Sequence, residues 1–314
     1  MLCSVGGDGS AVVAFDKKTG KEIWKSTTVA DIGYVPLVLF GSKKEVSKGA
    51  TDEAGAYQLS GGEPVSGKVT LDGKPLKNAT VTFGADAESS VQQLLMWHGD
   101  GVISLNPKDG SENWQLKFPE EKVQAQATCI AMPRVVGNQV FFTGFYEGSL
   151  MLELDENDPQ KFKEIYRSTK KSMRAGENLN SLMMTPYVKD GHVYGVANDS
   201  RGNGRLMCAK LETGKSVWTD ESSLGKGGLG FASLFIIPNG DRCFLSNDQG
   251  ELVIAKLSPE GYEEIDRANL LEPTHAAGGR KVVWSHPAFA EGRMFARNDK
   301  EIICVDLRAA SPQE

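Results

Sequence analysis

One eleven-residue phrase recurs along this chain of 314 residues and constrains its fold more than any other feature. Its first copy, at residues 14–24, reads Ala-Phe-Asp-Lys-Lys-Thr-Gly-Lys-Glu-Ile-Trp. Residues 104–114 and 208–218 keep the turn glycine and the tryptophan. Weaker copies keep only the strand at residues 151–155, and at 253–265 a glycine with Tyr262 as the aromatic residue. Self-similarity at a period of about 50 residues predicts stacked units of similar structure.

The chemistry of one copy predicts a hairpin that is closed by an aromatic side chain. Residues 12–16 alternate as a strand, and Gly20 supplies the positive φ angle that a tight turn needs. An indole at a fixed distance from a turn glycine is suited to covering the edge of the neighbouring unit. A four-stranded sheet with one such aromatic per unit is typical of a propeller blade. The predicted docking residues are Ala14, Asp16, Thr19, Gly20, Trp24, Trp114, Gly214 and Trp218.

A second repeated pattern supplies the other half of each unit. Residues 185–195, 132–144, 286–298 and, more loosely, 232–247 each contain an apolar strand, a turn and a second strand rich in Val, Phe or Tyr. We assign these two strands as strands A and B of each four-stranded unit, and the two strands of the docking phrase as strands C and D. The predicted fold is therefore all-β, a β-propeller of about five to six four-stranded blades.

An extra segment interrupts the first repeat interval, which spans about 90 residues instead of about 50. We place this insertion at residues 41–90, in an A–B hairpin, and assign residues 1–40 and 91–314 to the propeller. Residues 66–83 alternate around an Asp-Gly turn, which predicts a hairpin and a small β-sandwich-like segment. The alternative is a long surface hairpin.

Composition excludes several classes of protein. The net charge is −6 and the basic residues are dispersed, so neither nucleic-acid nor anionic-membrane binding is indicated. No apolar run is long enough for a transmembrane helix, and the first residues lack the regions of a signal peptide. Five scattered cysteines show neither a disulfide framework nor metal spacing. We expect a monomer.

The phrase at residues 14–24 resembles the tryptophan-docking motif of pyrroloquinoline-quinone (PQQ)-type propeller repeats. That family includes quinoprotein alcohol dehydrogenases and a non-enzymatic scaffold lipoprotein of outer-membrane assembly. Residues 250–262 and 284–307 are similar to secreted PQQ-like repeat proteins of planctomycete type. The insertion resembles the carboxypeptidase-regulatory-like (transthyretin-like) module, with its two motifs in reversed order. The resemblance implies a periplasmic or extracellular location.

The resemblance to the dehydrogenases does not extend to their chemistry. Those enzymes bind PQQ and Ca²⁺ on the propeller axis and commonly carry a vicinal Cys-Cys pair, which this chain lacks. None of their cofactor ligands can be assigned to a position here. We therefore predict no catalytic, cofactor-binding or metal-binding residue and no cofactor, because fold alone does not imply function.

The remaining candidates are loops between strand D of one blade and strand A of the next. Propellers commonly bind partners with these loops. Met173, Arg174, Asn178 and Asn180 offer mixed polar and apolar contacts, and His275 lies in a second such loop. The alternative is that these are ordinary surface loops.

Three functions remain open. The first is a non-catalytic scaffold or binding protein of the bacterial cell envelope, with an unidentified protein partner. The second is a carbohydrate-binding envelope protein, and the third is a PQQ-dependent oxidoreductase. Two alternatives also remain for the ends of the chain. Either strands from both ends close one shared blade, or the chain lacks N-terminal blades and a signal peptide.

Overall fold

The computed structural model describes most of the repeating part of the chain and the strands of the insertion. The described residues are 1–5, 11–28, 36–41, 45–50, 53, 56–59, 65–68, 70–71, 74–75, 77, 80–85, 93–99, 101–118, 129–145, 148–168, 177–198, 203–224, 232–277 and 279–308. They form strands and turns with one short 3₁₀ helix, Ser222–Leu224. The prediction of an all-β propeller is confirmed.

The N-terminal strands form two sheets, named I and II, and the inserted segment. Sheet I comprises β1 (Leu2–Val5), β2 (Ala11–Phe15) and β3 (Glu22–Lys25), and sheet II begins with β4 (Leu37–Phe40). The insertion contains β5 (Glu45–Ala50), β6 (Ala56–Leu59), β7 (Val65–Lys68), β8 (Thr70–Leu71), β9 (Lys74–Pro75) and β10 (Thr80–Ala85). Sheet II continues with β11 (Gln93–His98), β12 (Gly101–Leu105) and β13 (Glu112–Lys117).

The rest of the chain forms sheets III to VI. Sheet III comprises β14 (Arg134–Val136), β15 (Gln139–Gly144), β16 (Gly148–Leu154) and β17 (Phe162–Arg167), and sheet IV comprises β18 (Tyr187–Lys189), β19 (His192–Asn198), β20 (Gly204–Lys210) and β21 (Ser216–Asp220). Sheet V comprises β22 (Leu234–Asn239), β23 (Arg242–Asn247), β24 (Glu251–Ser258) and β25 (Gly261–Asn269). A hairpin of β26 (His275–Ala277) and β27 (Arg280–Val282) precedes sheet VI, which comprises β28 (Ala288–Ala290), β29 (Arg293–Arg297) and β30 (Ile302–Asp306).

Neighbouring strands within each sheet are antiparallel and follow the order A, B, C, D. Sheets II to V have all four strands, whereas sheet I has strands B, C and D, and sheet VI has strands A, B and C in the described part of the chain. Six sheets agree with the predicted five to six blades. Among the described residues, the strands near the two ends belong to separate sheets.

The apolar core lies between the sheets, because each blade strand alternates its side chains between two faces. Five buried clusters join consecutive sheets, from sheets I and II through sheets V and VI. The sheet IV–V cluster includes Tyr194, Leu206, Leu245 and Val253, all with less than 2% of their surface exposed. Stacking of consecutive sheets is thus the interaction that builds the fold.

The insertion lies between strands A and B of sheet II. β4 and β11 pair directly, with Phe40 opposite Gln93, and the chain between them carries β5 paired with β10. The pairs β6–β7 and β8–β9 complete the described part of the insertion. Whether residues 41–90 form a regulatory-like module stays a prediction.

Among the described residues, no helix has the length and apolar character to cross a membrane.

Candidate functional site

The predicted docking residues begin with the C–D turn of sheet I. The Asp16 carboxylate accepts hydrogen bonds from the Lys18 and Thr19 amides and from the Thr19 hydroxyl. The bonds from Thr19 lower the pKa of Asp16 below its ordinary value. The Gly20 amide donates to the Asp16 carbonyl, and Gly20 has a φ of +71°. This closes the turn and sets the position of the strand that follows.

The indole of Trp24 lies against the C–D turn of the next sheet. Trp24 pairs with Ala14 beside a β-bulge in sheet I. A Cβ atom on Gly110 of sheet II would lie 2.5 Å from Cε3 of Trp24. Gly110 also has a positive φ of +74°, so this position needs glycine both for its backbone conformation and for the ring above it.

Trp114 makes the corresponding contact between sheets II and III. Its ring lies 4.1 Å from that of Phe162, centroid to centroid, and its Nε1 donates to Oε1 of Gln93 at 3.1 Å. Phe162 follows an irregular C–D turn that has no glycine. In sheet III the docking indole therefore packs on an aromatic ring, whereas in sheet II it packs on the turn glycine.

Tyr166 is the docking residue of sheet III, which the sequence analysis missed. It pairs with Met151 beside the bulge in this sheet. A Cβ atom on Gly214 of sheet IV would lie 2.6 Å from its ring, and its hydroxyl donates to the Leu211 carbonyl at 3.1 Å. Burial raises its pKa above the ordinary value. The sequence does contain this aromatic residue, but the longer C–D turn of sheet III moves it away from the spacing of the other copies.

Trp218 joins sheets IV and V, and Nε1 of its indole donates to the Ser258 carbonyl at 2.8 Å. In sheet V, however, Tyr262 is not the docking aromatic that the repeat suggested. Tyr262 pairs with Leu257 and packs in the sheet IV–V cluster. The residue beside the bulge of sheet V is Asp266, which is exposed.

The D–A connections and B–C turns lie at the other end of the strands from the A–B and C–D turns. They form the surface that we call the loop face. In sheets III to VI it includes the described D–A connections (177–186, 221–224, 232–233, 270–277 and 279–287) and the described ends of the B–C turns. Outside the β26–β27 hairpin, the backbone groups of these connections bond to side chains and to the backbone of neighbouring turns.

Asn180 shows how the loop face is held in sheets III and IV. Its side chain donates to the Asn198 carbonyl at 3.0 Å and to the Phe145 carbonyl at 3.3 Å, and accepts from the Asn198 amide at 2.6 Å. Only 5% of Asn180 is exposed. Its side chain therefore connects two B–C turns inside the protein.

Asp248 and Arg280 hold the loop face at sheets V and VI. Oδ2 of Asp248 accepts from Nη2 of Arg280 at 2.6 Å and from the Ser233 amide at 2.8 Å, while the Asp248 carbonyl accepts from the Val283 amide. Asp248 is 1% exposed. This buried ion pair fixes the β26–β27 hairpin on the B–C turn of sheet V.

Arg267 fixes the preceding connection in the same region. It contacts Glu251 at 2.6 Å, forms a two-nitrogen contact with Glu264, and donates to the Ser222 carbonyl at 2.9 Å. The hydrogen bond from Arg267 is the main cause that lowers the pKa of Glu264 to about 2. A connected charge network thus holds Ser222, at the start of the connection between sheets IV and V.

The other predicted contact residues occupy different environments. His275 is exposed on the β26–β27 hairpin, with its Nδ1 3.5 Å from Oδ2 of Asp299. Asn178 is partly buried and donates to the Gly214 carbonyl at 3.1 Å. Met173 and Arg174 lie outside the described residues. The role of all these residues in partner contact stays a prediction.

A pocket of about 370 Å³ lies beside the A–B and C–D turns of sheet III. Asp155, Glu156, Lys161, Phe162 and Lys163 contribute to its lining. The Asp155 carboxylate accepts two backbone amides of its own turn, which accounts for its position there. Among the described residues, no group of three or more His, Cys, Asp or Glu is placed to hold a metal ion.

Comparison with known proteins places this architecture in a family. The family model described as "Outer membrane protein assembly factor BamB" matches residues 2–220. The chain belongs to this family. The matched residues include the three copies of the docking phrase that end in a tryptophan.

Several solved structures are similar to the chain at low sequence identity. BamB from Moraxella catarrhalis is 13% identical, with a TM-score of 0.45 over 96% of this chain and 80% of that chain. Quinohemoprotein alcohol dehydrogenase from Comamonas testosteroni is 12% identical, with a TM-score of 0.51 over 94% of this chain and 49% of that chain. The chain thus spans about half the length of the dehydrogenase, and the likeness shows the fold alone. No curated protein sequence matches the chain.

Proposed function

We propose that this protein is a non-catalytic binding protein of the bacterial cell envelope that holds protein partners on its loop face. Membership of the BamB family supports both the envelope location and a protein partner. The planctomycete-type origin and the regulatory-like identity of residues 41–90 remain predictions from the sequence resemblance.

One observation carries the proposal, namely that buried side chains hold the described parts of the D–A connections after sheets III, IV and V against the B–C turns. Asn180 is 5% exposed and Asp248 is 1% exposed, and each bonds to more than one segment of the loop face. A surface that is already ordered loses less conformational entropy when a partner binds. Loops held by a rigid scaffold are also the usual position of binding residues.

A capture experiment with matched variants tests the proposal. Ala276 is exposed on the β26–β27 hairpin, and Gln160 is exposed in the C–D turn of sheet III, away from the loop face. Ala276→Arg places a long charged side chain on the loop face, whereas Gln160→Arg places the same side chain elsewhere. We expect A276R to reduce capture of an envelope protein by about tenfold, a loss typical of a disturbed interface centre, and Q160R to leave it unchanged.

Two further measurements decide between this proposal and its alternatives. Dye-linked alcohol oxidation after addition of PQQ and Ca²⁺ would replace the proposal with a quinoprotein oxidoreductase. Specific binding on a glycan array, with no protein captured, would replace it with carbohydrate recognition. Equal capture by A276R and Q160R would remove the loop face from the proposal.

A further inference from the structure

Two arginines occupy corresponding positions on strand D, near the loop-face ends of sheets III and V. Arg167 bonds through Nε and Nη2 to Glu164, three residues before it on the same strand. Arg267 bonds through the same two nitrogens to Glu264, which also lies three residues before it. In both sheets the third nitrogen, Nη1, is therefore left to contact another group.

This third nitrogen has a carboxylate partner in sheet V but not in sheet III. In sheet V, Nη1 of Arg267 donates to Oε2 of Glu251 at 2.6 Å. Glu251 lies two residues before the strand partner of Arg267. At the same register of sheet III, two residues before the strand partner of Arg167, the chain has Gly148. Accordingly, Nη1 of Arg167 is buried and has no hydrogen-bond partner in the part of the chain that the structure describes.

A second unpartnered donor lies beside the same aromatic ring as Arg167. The guanidinium carbon of Arg167 is 5.0 Å from the ring centroid of Phe118, and the rings of Trp97 and Phe118 meet edge to face at 5.3 Å. Trp97 is fully buried, and its indole Nε1 bonds to no described residue. Guanidinium and indole nitrogens only donate, so both groups lack an acceptor oxygen.

The chemistry of these two donors favours a carboxylate as the missing acceptor. A buried donor without a partner has lost its hydrogen bonds to water, so an acceptor that binds here restores what the free protein lacks. A carboxylate carries the charge opposite to the guanidinium and has two accepting oxygens. The pair with Glu164 does not exclude a second carboxylate, because Arg267 contacts both Glu251 and Glu264.

We propose that Arg167 and Trp97 bind a carboxylate of the protein partner, in the position that Glu251 occupies in sheet V. This inference rests on the proposed function, because it assigns an acidic group to the partner that the loop face holds. The carboxylate reaches the two nitrogens by displacing the ring of Phe118, which is partly exposed.

Titration of the full chain with sodium acetate tests the site. The chain has five tryptophans, and Trp97→Phe identifies which indole N–H resonance belongs to Trp97. We expect acetate to shift this resonance in a saturable way, and sodium chloride at equal ionic strength to leave it in place. Arg167→Lys should weaken acetate binding about tenfold, because lysine lacks the guanidinium fork. A Trp97 resonance that acetate does not move would overturn the proposal.

Capture of an envelope protein separates failure of this site from failure of the proposed function. R167K should reduce capture about tenfold, and the control Arg308→Lys, in an exposed ion pair, should leave it unchanged. Loss of capture in A276R but not in R167K would overturn this inference and keep the proposed function. Acetate binding without any captured protein would support the site and remove the proposed function.

A last variant identifies the source of the carboxylate. Glu120 and Glu121 are the first acidic residues after Phe118 in the sequence. If the partner supplies the carboxylate, the double variant Glu120→Gln, Glu121→Gln should bind acetate as the wild type does. Clearly tighter acetate binding by the double variant would show that this chain supplies its own carboxylate, and would overturn the assignment to a partner.

Discussion

The junction between sheets IV and V and the junction between sheets V and VI meet the same packing requirement with different side chains. At the first, Trp218 bonds to the Ser258 carbonyl over a large apolar cluster. At the second, the corresponding position is the exposed Asp266, and the cluster is smaller. There Phe244 and Phe289 stack at 5.4 Å, and Arg280 binds the buried Asp248.

The comparison shows that two neighbouring junctions of the same repeat are secured by different contacts. Among the described residues, sheet VI has no strand D and hence no C–D turn that an aromatic from sheet V would contact. An aromatic stack and a buried ion pair therefore secure the sheet V–VI junction, where Asp266 stands at the position of the docking aromatic.

The largest effect is expected from Trp218→Ala. Loss of the indole and of its hydrogen bond should lower the free energy of unfolding by about 2–3 kcal/mol, since the side chain is partly buried. Val217→Ala, at a 40% exposed neighbour on the same strand, should cost less than about 1 kcal/mol. Urea denaturation measures both. Equal losses would show that Trp218 is not the residue that secures this junction.

Arg280→Ala should weaken the other junction by a similar amount. It leaves the Asp248 carboxylate buried without its cation, which costs about 2–3 kcal/mol. The control is Arg308→Ala, because Arg308 pairs with Asp306 where both side chains are exposed, and such pairs contribute about 0–1 kcal/mol. Thermal unfolding of the two variants should separate them clearly. A mild R280A variant would mean that apolar packing alone holds sheets V and VI together.

Two glycine variants separate backbone strain from ring contact. Gly20 and Gly110 have nearly the same positive φ, +71° and +74°, but only Gly110 lies under an indole. Gly20→Ala should cost about 1 kcal/mol from strain. Gly110→Ala should cost about 1–2 kcal/mol more, because the rigid Trp24 ring must move. If chemical denaturation gives the same value for both, Trp24 is not closely packed on this turn.

The smallest effect concerns acid stability at the sheet IV–V junction. The pKa of Glu264 is lowered to about 2, so its ion pair with Arg267 stabilises the fold above the ordinary pKa of 4.5. That stabilisation is lost as the pH falls from about 4.5 towards 2. Glu264→Gln should flatten this part of the stability curve, by less than about 1 kcal/mol for a partly exposed pair. Urea unfolding of the wild type and of E264Q between pH 4.5 and pH 2 measures this difference. The same pH dependence in both proteins would contradict the prediction.

The sequence predicted the repeating unit because its signals are local. The turn glycine at Gly20, the tryptophan at Trp24 and the alternation of residues 12–16 lie within one hairpin, where spacing along the chain determines spacing in the structure. The same locality explains why strands A to D and the interruption before Gln93 were recognised.

The missed features depend on register or on distant contacts. Tyr166 was overlooked because the longer turn of sheet III shifts its bulge, and Tyr262 was misread because the longer hairpin of sheet V turns it towards sheet IV. Burial of Asn180 follows from carbonyl groups in two separate sheets. Spacing in one sequence does not indicate which distant carbonyls will meet a side chain.

The direct pairing of Phe40 with Gln93 has an evolutionary consequence. The chain leaves and re-enters the blade at two points only about 5 Å apart, which is the separation of paired residues in an antiparallel sheet. Any compact unit with adjacent termini can be exchanged at such a site without disturbing the host. Gain, replacement or loss of such a unit between Phe40 and Gln93 would therefore leave the pairing of sheet II unchanged.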